Sequence, residues 1–292
     1  MATKNKNFKH ILLFLAPAII LYIIYFIYPL GFVMVTSLTD WDGISPMKFN
    51  GIKNYIVLFS DGTFLHALRN NVLWALSLGF IQIPLAATMA LILARKPKGW
   101  KTFRTMYFLP NVISQVALAM MWLAIYNADH GLLNNLLVAI GRGDSATNWL
   151  GNMDTAFTAV IIQQVFYIGY FMIVILASRM NIPTSYYEAA EIDGASIAQQ
   201  EWAITLPMLK DILITTITLA LAFGIRHFES TYLMTNGGPA HATDVLGILL
   251  YRNLGALQYG EGNAIGTTLI LFGGATIVLI RHLLQNIGQK ED

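Results

Sequence analysis

Apolar positions along the chain gather into six runs, at residues 11–35, 72–93, 106–126, 156–177, 212–234 and 263–280. Each reaches, or nearly reaches, the roughly 20 residues a helix needs to cross about 30 Å of hydrocarbon. The last run is the shortest, and Arg281 and His282 at its end can snorkel to the headgroups. Pro17, Pro29, Pro84 and Pro110 lie inside runs. They predict kinks and not breaks, because neighbouring helices satisfy the backbone groups that a proline frees. Of the polar stretches between runs, 39–71 holds an amphipathic patch from Phe64 to Leu68, and 127–152 holds a one-sided apolar patch over 131–137. Both patches predict short helices at the membrane surface. The pattern predicts an all-α polytopic integral membrane protein with six transmembrane helices.

One stretch between runs stands apart. Residues 183–207 carry Glu188, Glu191, Asp193 and Glu201 although membrane-length apolar segments flank them on both sides. Ser185-Tyr-Tyr-Glu188 and Ser196-Ile-Ala-Gln199 both fit the capping box, in which a hydroxyl and a side chain three residues on satisfy each other's backbone donors. Gly194 falls between them, where a first short helix needs a left-handed C-terminal residue. Pro207 ends the second helix or bends it into the next apolar run. The reading is two short helices joined at Asp193-Gly194 and held outside the lipid.

Composition and charge sharpen this picture. The 292 residues are 56% hydrophobic and only 12% charged, against about 25% charged in soluble domains. A net charge of +2 gives no electrostatic footprint for nucleic acid, and no basic face accompanies the two short helices. The absence of cysteine removes disulfides, thiol catalysis and Cys-ligated zinc. The first run is too long for a signal-peptide core and lacks a small-residue cleavage site, so it is expected to remain as a span. Lys4, Lys6, Lys9, Arg95, Lys96, Lys98, Lys101, Arg104, Arg179, Lys210, Arg281 and Lys290 fall on one side, against Lys48, Lys53, Arg69, Arg142 and Arg252 on the other. Excess Lys and Arg marks the cytoplasmic side, which places both termini and the 183–207 loop there.

Glu188-Ala189-Ala190, Asp193-Gly194-Ala195-Ser196 and Ile204-Thr205-Leu206-Pro207 together resemble the EAA motif of binding-protein-dependent ABC importer permeases. Thr235-Asn236-Gly237-Gly238-Pro239 resembles the T-x-G-G-P turn after the penultimate span of sugar-type members, the maltose permease subunits among them. Gly51-Ile-Lys-Asn54-Tyr55 resembles their G-x-x-N-Y element, and a brace on the bundle from outside is its expected role. The resemblance implies one transmembrane domain over 1–292, with the loop as a cytoplasmic coupling element docked in a cleft of an ATPase subunit. It assigns that contact to Glu188, Ala189, Ala190, Asp193, Gly194, Trp202, Leu206 and Pro207. The chain departs from the family's pattern at Ala198 and Glu201, where aromatic residues are frequent, and at Ala203, where a basic one is.

The sequence holds no G-x-x-x-x-G-K-[ST] phosphate loop, no H-E-x-x-H and no G-x-S-x-G turn, and its six histidines show no metal-ligand spacing. An enzyme reading therefore lacks a catalytic constellation, and ATP hydrolysis is expected in a separate subunit. Polar residues inside runs are costly in lipid and tend to face cavities or other helices. They include Asn111, Ser114 and Gln115 in the third run, and Gln163, Gln164, Tyr167 and Tyr170 in the fourth. In the fifth are Arg226, His227 and Glu229, and Arg226 and Glu229 at helical spacing can partly neutralise each other. By the resemblance, the spans flanking the loop line a mid-membrane substrate site. Counting from the motifs assigns Tyr167 and Tyr170 of the fourth run, and Ala220, Phe223, Gly224 and His227 along one stripe of the fifth. Small, aromatic and amide side chains serve equally as interhelical packing, so that reading stands beside the first.

The resemblance thus implies a permease subunit of an ATP-driven importer for a sugar or oligosaccharide, with glycerol phosphate and polyols within its substrate range. It implies alternating access in the cytoplasmic membrane of a prokaryote. The implied partners are a second permease subunit, two ATPase subunits that bind ATP–Mg, and an extracytoplasmic solute-binding protein; no cofactor is expected on this chain. The alternative is an ion-gradient-driven secondary transporter using Arg226, His227 and Glu229. Such folds usually show inverted internal repeats and broken midplane helices, and the sequence shows no such repeat.

Overall fold

A computed structural model describes the backbone over residues 2–287 and the side chains over residues 11–282. Lys4, Lys6, Lys9 and Lys290, among the cations that orient the chain, lie outside the described side chains. In chain order the elements are α1 (Ile11–Thr36), a ribbon of β1 (Thr39–Asp40) and β2 (Lys48–Phe49), α2 (Lys53–Ser60) and α3 (Gly62–Ala94). There follow α4 (Trp100–Asn111), α5 (Gln115–Ile125), α6 (Leu132–Ala139) and α7 (Ala156–Met180). The chain then forms α8 (Ser185–Ile192), α9 (Ile197–Met208), α10 (Lys210–Ile225) and α11 (Glu229–Thr235). It ends in α12 (Leu246–Gly255) and α13 (Tyr259–Ile287). Helices α1, α3, α7 and α13 are each long and apolar enough to cross a membrane. Two bent pairs meet the same test, α4 with α5 at 101° and α9 with α10 at 71°, giving up to six crossings if each pair counts as one.

Of the prolines expected to kink the runs, Pro17 lies inside an unbroken α-helical segment, while Pro29, Pro84 and Pro110 sit at irregular turns of two different geometries. Segments Ile23–Ile27, Leu78–Gln82 and Glu201–Thr205 are π-turns. Each is followed by a helical segment with proline as its second residue, Tyr28-Pro29, Ile83-Pro84 and Leu206-Pro207. Proline cannot donate to the carbonyl four residues back, and its ring clashes there; widening the preceding turn removes the conflict without ending the helix. Pro110 behaves differently. It sits in a short 3-10 turn, Leu109–Asn111, after which the chain leaves the helix until Ser114 caps α5 by accepting from the Ala117 N–H at 3.3 Å. The third apolar run is therefore a bent pair and not one rod.

Contacts divide the chain into two units. The first comprises Met1–Gly62 and Leu249–Ile270. Here the Gly-x-x-Asn-Tyr element closes the end of α1: Asn54 donates to the Ser37 and Thr39 carbonyls, both at 2.9 Å, and the Tyr55 hydroxyl meets Ser37 Oγ at 2.6 Å. Asn263 of α13 donates to Thr36 Oγ1 at 2.7 Å.

The second unit comprises Thr63–Ile248 and Leu271–Asp292. Its core pairs α3 with the second half of α7: Ala86, Ala90 and Leu93 on one side, and Phe171, Met172 and Ile175 on the other, are buried in a single cluster. Small residues at i and i+4 let helices approach closely where lipid supplies no hydrophobic drive for association. Gly224 of α10 shows the tightest approach to α3, since an added Cβ would lie 2.4 Å from Ala75 Cα.

Two expectations need correction. The Ser185 capping box does not form: Thr184 is the residue preceding α8, its backbone is already helical, and its side chain makes no capping bond. The Thr184 carbonyl instead accepts from the Tyr187 and Glu188 N–H groups at 2.9 and 3.0 Å, so Ser185 lies inside the helix. The Ser196–Gln199 box forms completely, because Ser196 has the extended backbone that a cap requires. The fifth apolar run is also not one helix. It stops at Ile225, and α11 restarts at Glu229. Arg226 and Glu229 consequently lie on different elements and, among the described residues, form no ion pair with each other; the Arg226 guanidinium lies over the Phe223 ring at 5.2 Å.

Gly224→Ala is expected to destabilise the protein by on the order of 1–3 kcal/mol through overpacking against Ala75. Gly62→Ala, where an added Cβ meets nothing within 4 Å, should leave the unfolding midpoint in detergent unchanged.

Candidate functional site

Three interruptions converge on one cavity in the second unit. They are the bend between α4 and α5, a break inside α7 at residues 166–168, and the gap between α10 and α11. The cavity has a volume of about 650 Å³ and is lined by Gln82, Asn111, Gln115, Gln164, Tyr167, Tyr170, Phe223, Arg226, His227 and Glu229, among others. Non-helical backbone at membrane depth is tolerated only where protein buries it or a water-filled cavity receives it. The convergence meets that condition.

Side chains from α3 close the freed backbone groups. Gln82 Nε2 donates to the Gln164 carbonyl at 2.9 Å, just before the break in α7, and to the Tyr167 carbonyl at 3.2 Å, within it. Asn71 Nδ2 donates to the Ile225 carbonyl at 2.7 Å, at the end of α10, and Asn71 Oδ1 accepts from the Leu246 N–H at 2.7 Å. Tyr167 is fixed by Trp122, whose Nε1 donates to its hydroxyl at 2.6 Å. Gly169 restarts α7 where any side chain would meet the Tyr107 carbonyl at 2.1 Å, so the ends of α4 and α7 touch through backbone.

Of the six pathway residues named from sequence, Tyr167, Tyr170, Phe223 and His227 line this cavity and Ala220 and Gly224 do not. The helical stripe explains the split. Ala220 and Gly224 are fully buried or close-packed within the bundle, whereas α10 ends at Ile225 and His227 leaves the stripe's register. His227 stacks on Trp74, with ring centroids 3.8 Å apart and planes 13° apart. Its Nε2 is buried without a hydrogen-bond partner, and no bond joins it to Arg226 or Glu229. The apolar pattern alone does not single out Gln82, Asn71 and Trp74; a polar residue in a run immediately before a proline, as in Gln82-Ile-Pro84, is the available signal.

The loop is the second part of the site. Gly194 has φ +78°, and it carries both bonds of a Schellman turn, with Ala195 N–H to Ala190 carbonyl at 2.8 Å and Gly194 N–H to Glu191 carbonyl at 3.0 Å. Glu188, Ala189, Asp193, Gly194, Trp202 and Pro207 are exposed, and Ala190 and Leu206 are partly so. Trp202 is 74% exposed, beside exposed Ile192 and Ile197. An indole and two aliphatic side chains left in water beside acidic groups form a surface suited to a partner.

A sequence profile of the family described as "Binding-protein-dependent transport system inner membrane component" matches residues 82–290. The chain belongs to that family. It is a multi-pass membrane permease component, as the EAA blocks implied. The chain is 37% identical over 276 residues to the probable ABC transporter permease protein YurN of Bacillus subtilis, covering 93% of this chain and 94% of that one. It is 33% identical over 283 residues to the trehalose/maltose transport system permease protein MalF of Thermococcus litoralis, covering 95% of each. It is 38% identical over 249 residues to the lactose transport system permease protein LacF of Rhizobium radiobacter, covering 82% and 81%. The fold matches a solved bacterial ABC transporter involved in import of the acidic polysaccharide alginate, with a TM-score of 0.80 over 99% of this chain and 98% of that one at 23% identity.

Two outcomes are expected for family members with this geometry. Gln82→Leu leaves the Tyr167 carbonyl without the Gln82 donor, while the Gln164 carbonyl keeps the Tyr167 N–H at 3.1 Å, and should lower stability by about 1–3 kcal/mol, whereas Ser77→Ala, whose hydroxyl bonds only its own helix at the Leu73 carbonyl, should not; thermal unfolding in detergent distinguishes them. Gly194→Val is expected to impair the loop through backbone strain alone, since nothing lies within 4 Å of an added Cβ. Gly194→Asn, which tolerates the left-handed region, should be impaired less, and thermal unfolding in detergent separates the two variants.

Proposed function

We propose that this chain is the membrane subunit of an ATP-driven importer that carries a sugar or oligosaccharide across the cytoplasmic membrane of a prokaryote by alternating access. The observation that carries this reading is a polar, aromatic-lined cavity on the same helices that lead into the exposed EAA loop. Helix α7 runs from the cavity to α8, and α10 runs from α9 back to it. Movement of the loop therefore reaches the cavity through covalently continuous helices.

In this reading the exposed face of Glu188, Ala189, Ala190, Asp193, Gly194, Trp202, Leu206 and Pro207 docks an ATPase subunit. Two such subunits bind ATP–Mg and hydrolyse it. A second permease subunit completes the translocation path, and an extracytoplasmic solute-binding protein delivers the substrate. Closure of the ATPase pair displaces α8 and α9 and opens the cavity outward by rigid-body movement. The sugar reading is supported by the lactose and trehalose/maltose permeases among the relatives. A similar solved transporter, 23% identical, was captured with an alginate-pentasaccharide-bound periplasmic protein. The chemistry agrees, because Tyr170 and Phe223 offer rings to the apolar face of a sugar while Gln164 and Asn111 offer amides to hydroxyls.

Affinity purification of the tagged chain in mild detergent, with mass spectrometry and an ATPase assay, tests the proposal. A second permease and an ATPase should accompany the wild type. Glu188→Lys, which reverses charge on the docking face, should lose the ATPase or uncouple it. Purification of the wild-type chain alone, without ATPase activity in several detergents, would overturn the reading in favour of a gradient-driven transporter.

A further inference from the structure

Glu201 belongs to the loop but does not belong to its exposed face. Its side chain is 13% exposed, while Trp202 beside it is 74% exposed. It turns back to Arg95, the residue that ends α3. Arg95 Nε donates to Glu201 Oε1 at 3.0 Å, and Nη2 contacts the same oxygen. The other carboxylate oxygen, Oε2, faces Arg179 Nε at 3.9 Å near the end of α7; both atoms are buried and neither has a hydrogen-bond partner. The Arg179 guanidinium in turn lies over the Tyr187 ring of α8 at 4.0 Å, and the Tyr187 hydroxyl meets Thr205 Oγ1 of α9 at 2.9 Å.

We propose that Glu201 is a positioning residue that tethers the coupling loop to α3 and so carries loop movement to the cavity wall; this rests on the importer reading above. Chain connectivity joins the loop to α7 and α10 only. Arg95, which caps α3, lies 106 residues before Glu201, and its ion pair is a direct polar attachment of α3 to the loop, beside the packing of α3 on α7. The attachment matters because α3 carries Gln82, which bonds the Gln164 and Tyr167 carbonyls at the break in α7. Arg95 and Gln82 lie thirteen positions apart on that helix, about 20 Å at 1.5 Å per residue. A displacement of α9 is thus delivered to the cavity as a rigid shift of α3, in step with α7. The open Arg179–Glu201 approach gives the tether a second position. A movement of about 1 Å would bring these atoms to hydrogen-bonding distance, letting Glu201 transfer part of its bonding from α3 to α7. Without the carboxylate, two guanidinium groups face the loop with no anion between them, and only the packing of α3 on α7 still couples α3 to the loop.

The test exploits the absence of native cysteine. In the purified complex reconstituted in nanodiscs, a single Phe223→Cys reports cavity exposure through its labelling rate with a charged maleimide, without and with ATP–vanadate. The importer reading predicts that trapping changes this rate by about tenfold. Adding Glu201→Gln, or separately Arg95→Gln, should reduce the change to under about twofold while ATPase recovery and basal hydrolysis persist, and Arg95→Lys should retain most of it. If both neutral variants keep the full change, the tether is overturned and the importer reading stands. If the complex with Glu201 and Arg95 intact recovers no ATPase, the importer reading fails and the tether with it.

Discussion

Inside a bilayer every backbone N–H and C=O must find a partner within the protein, and this constraint governs the second unit. An unbroken helix meets it alone; a broken one cannot. Three apolar segments here break or bend within the same small volume, and at two of them freed groups are met by side chains sent from α3. Gln82 closes the gap in α7 and Asn71 the end of α10. Helix α3 is therefore more than a wall of the bundle. It is the splint against which two interrupted helices are set, and its own π-turn at Leu78–Gln82 brings Gln82 to the position from which it reaches both carbonyls.

The same splint explains why a cavity persists. Side chains at helix interruptions project from backbone that no longer follows a helical stripe, so Tyr167, Tyr170, His227 and Arg226 gather on one space although they come from different registers. Close packing surrounds that space. Gly224 sits against Ala75, Gly169 against the Tyr107 carbonyl, and Ala86 and Ala90 lie buried in the core with α7. Tight contacts transmit displacement as rigid-body motion, because packed interiors deform little. The cavity is thus a soft volume between stiff parts.

The sequence carried the large features because their signals are redundant. Six apolar runs, the Lys and Arg asymmetry and three separate EAA blocks each bear on topology or family, and the left-handed turn at Gly194 follows from a glycine between two helix signals. What the sequence concealed was local. Ser185 and Ser196 carry matching capping-box patterns, yet only Ser196 has the extended backbone the box needs, since Thr184 has already entered the helix. Periodicity likewise treats 212–234 as one helix, and hence His227 as aligned with Ala220 and Gly224. Nothing in the run of apolar residues announces that the chain stops at Ile225; the signal lies 154 residues away, in Asn71. Long-range partners decide where a membrane helix is allowed to break, and a single-run reading does not contain them.

Glu201 shows how such a partner changes the meaning of a residue. Read locally, it is an acidic side chain in a short, mostly exposed helix. In the folded chain its neighbours Trp202 and Ile197 face outward, while its carboxylate is held between the ends of two membrane helices. A partly buried carboxylate between two guanidinium groups gains little net stability once desolvation is counted, and its geometric effect is the larger one. It fixes which helices the loop carries along. In this chain that choice adds α3 to the two helices the backbone already connects, so the element that splints the breaks is also the element the loop can move.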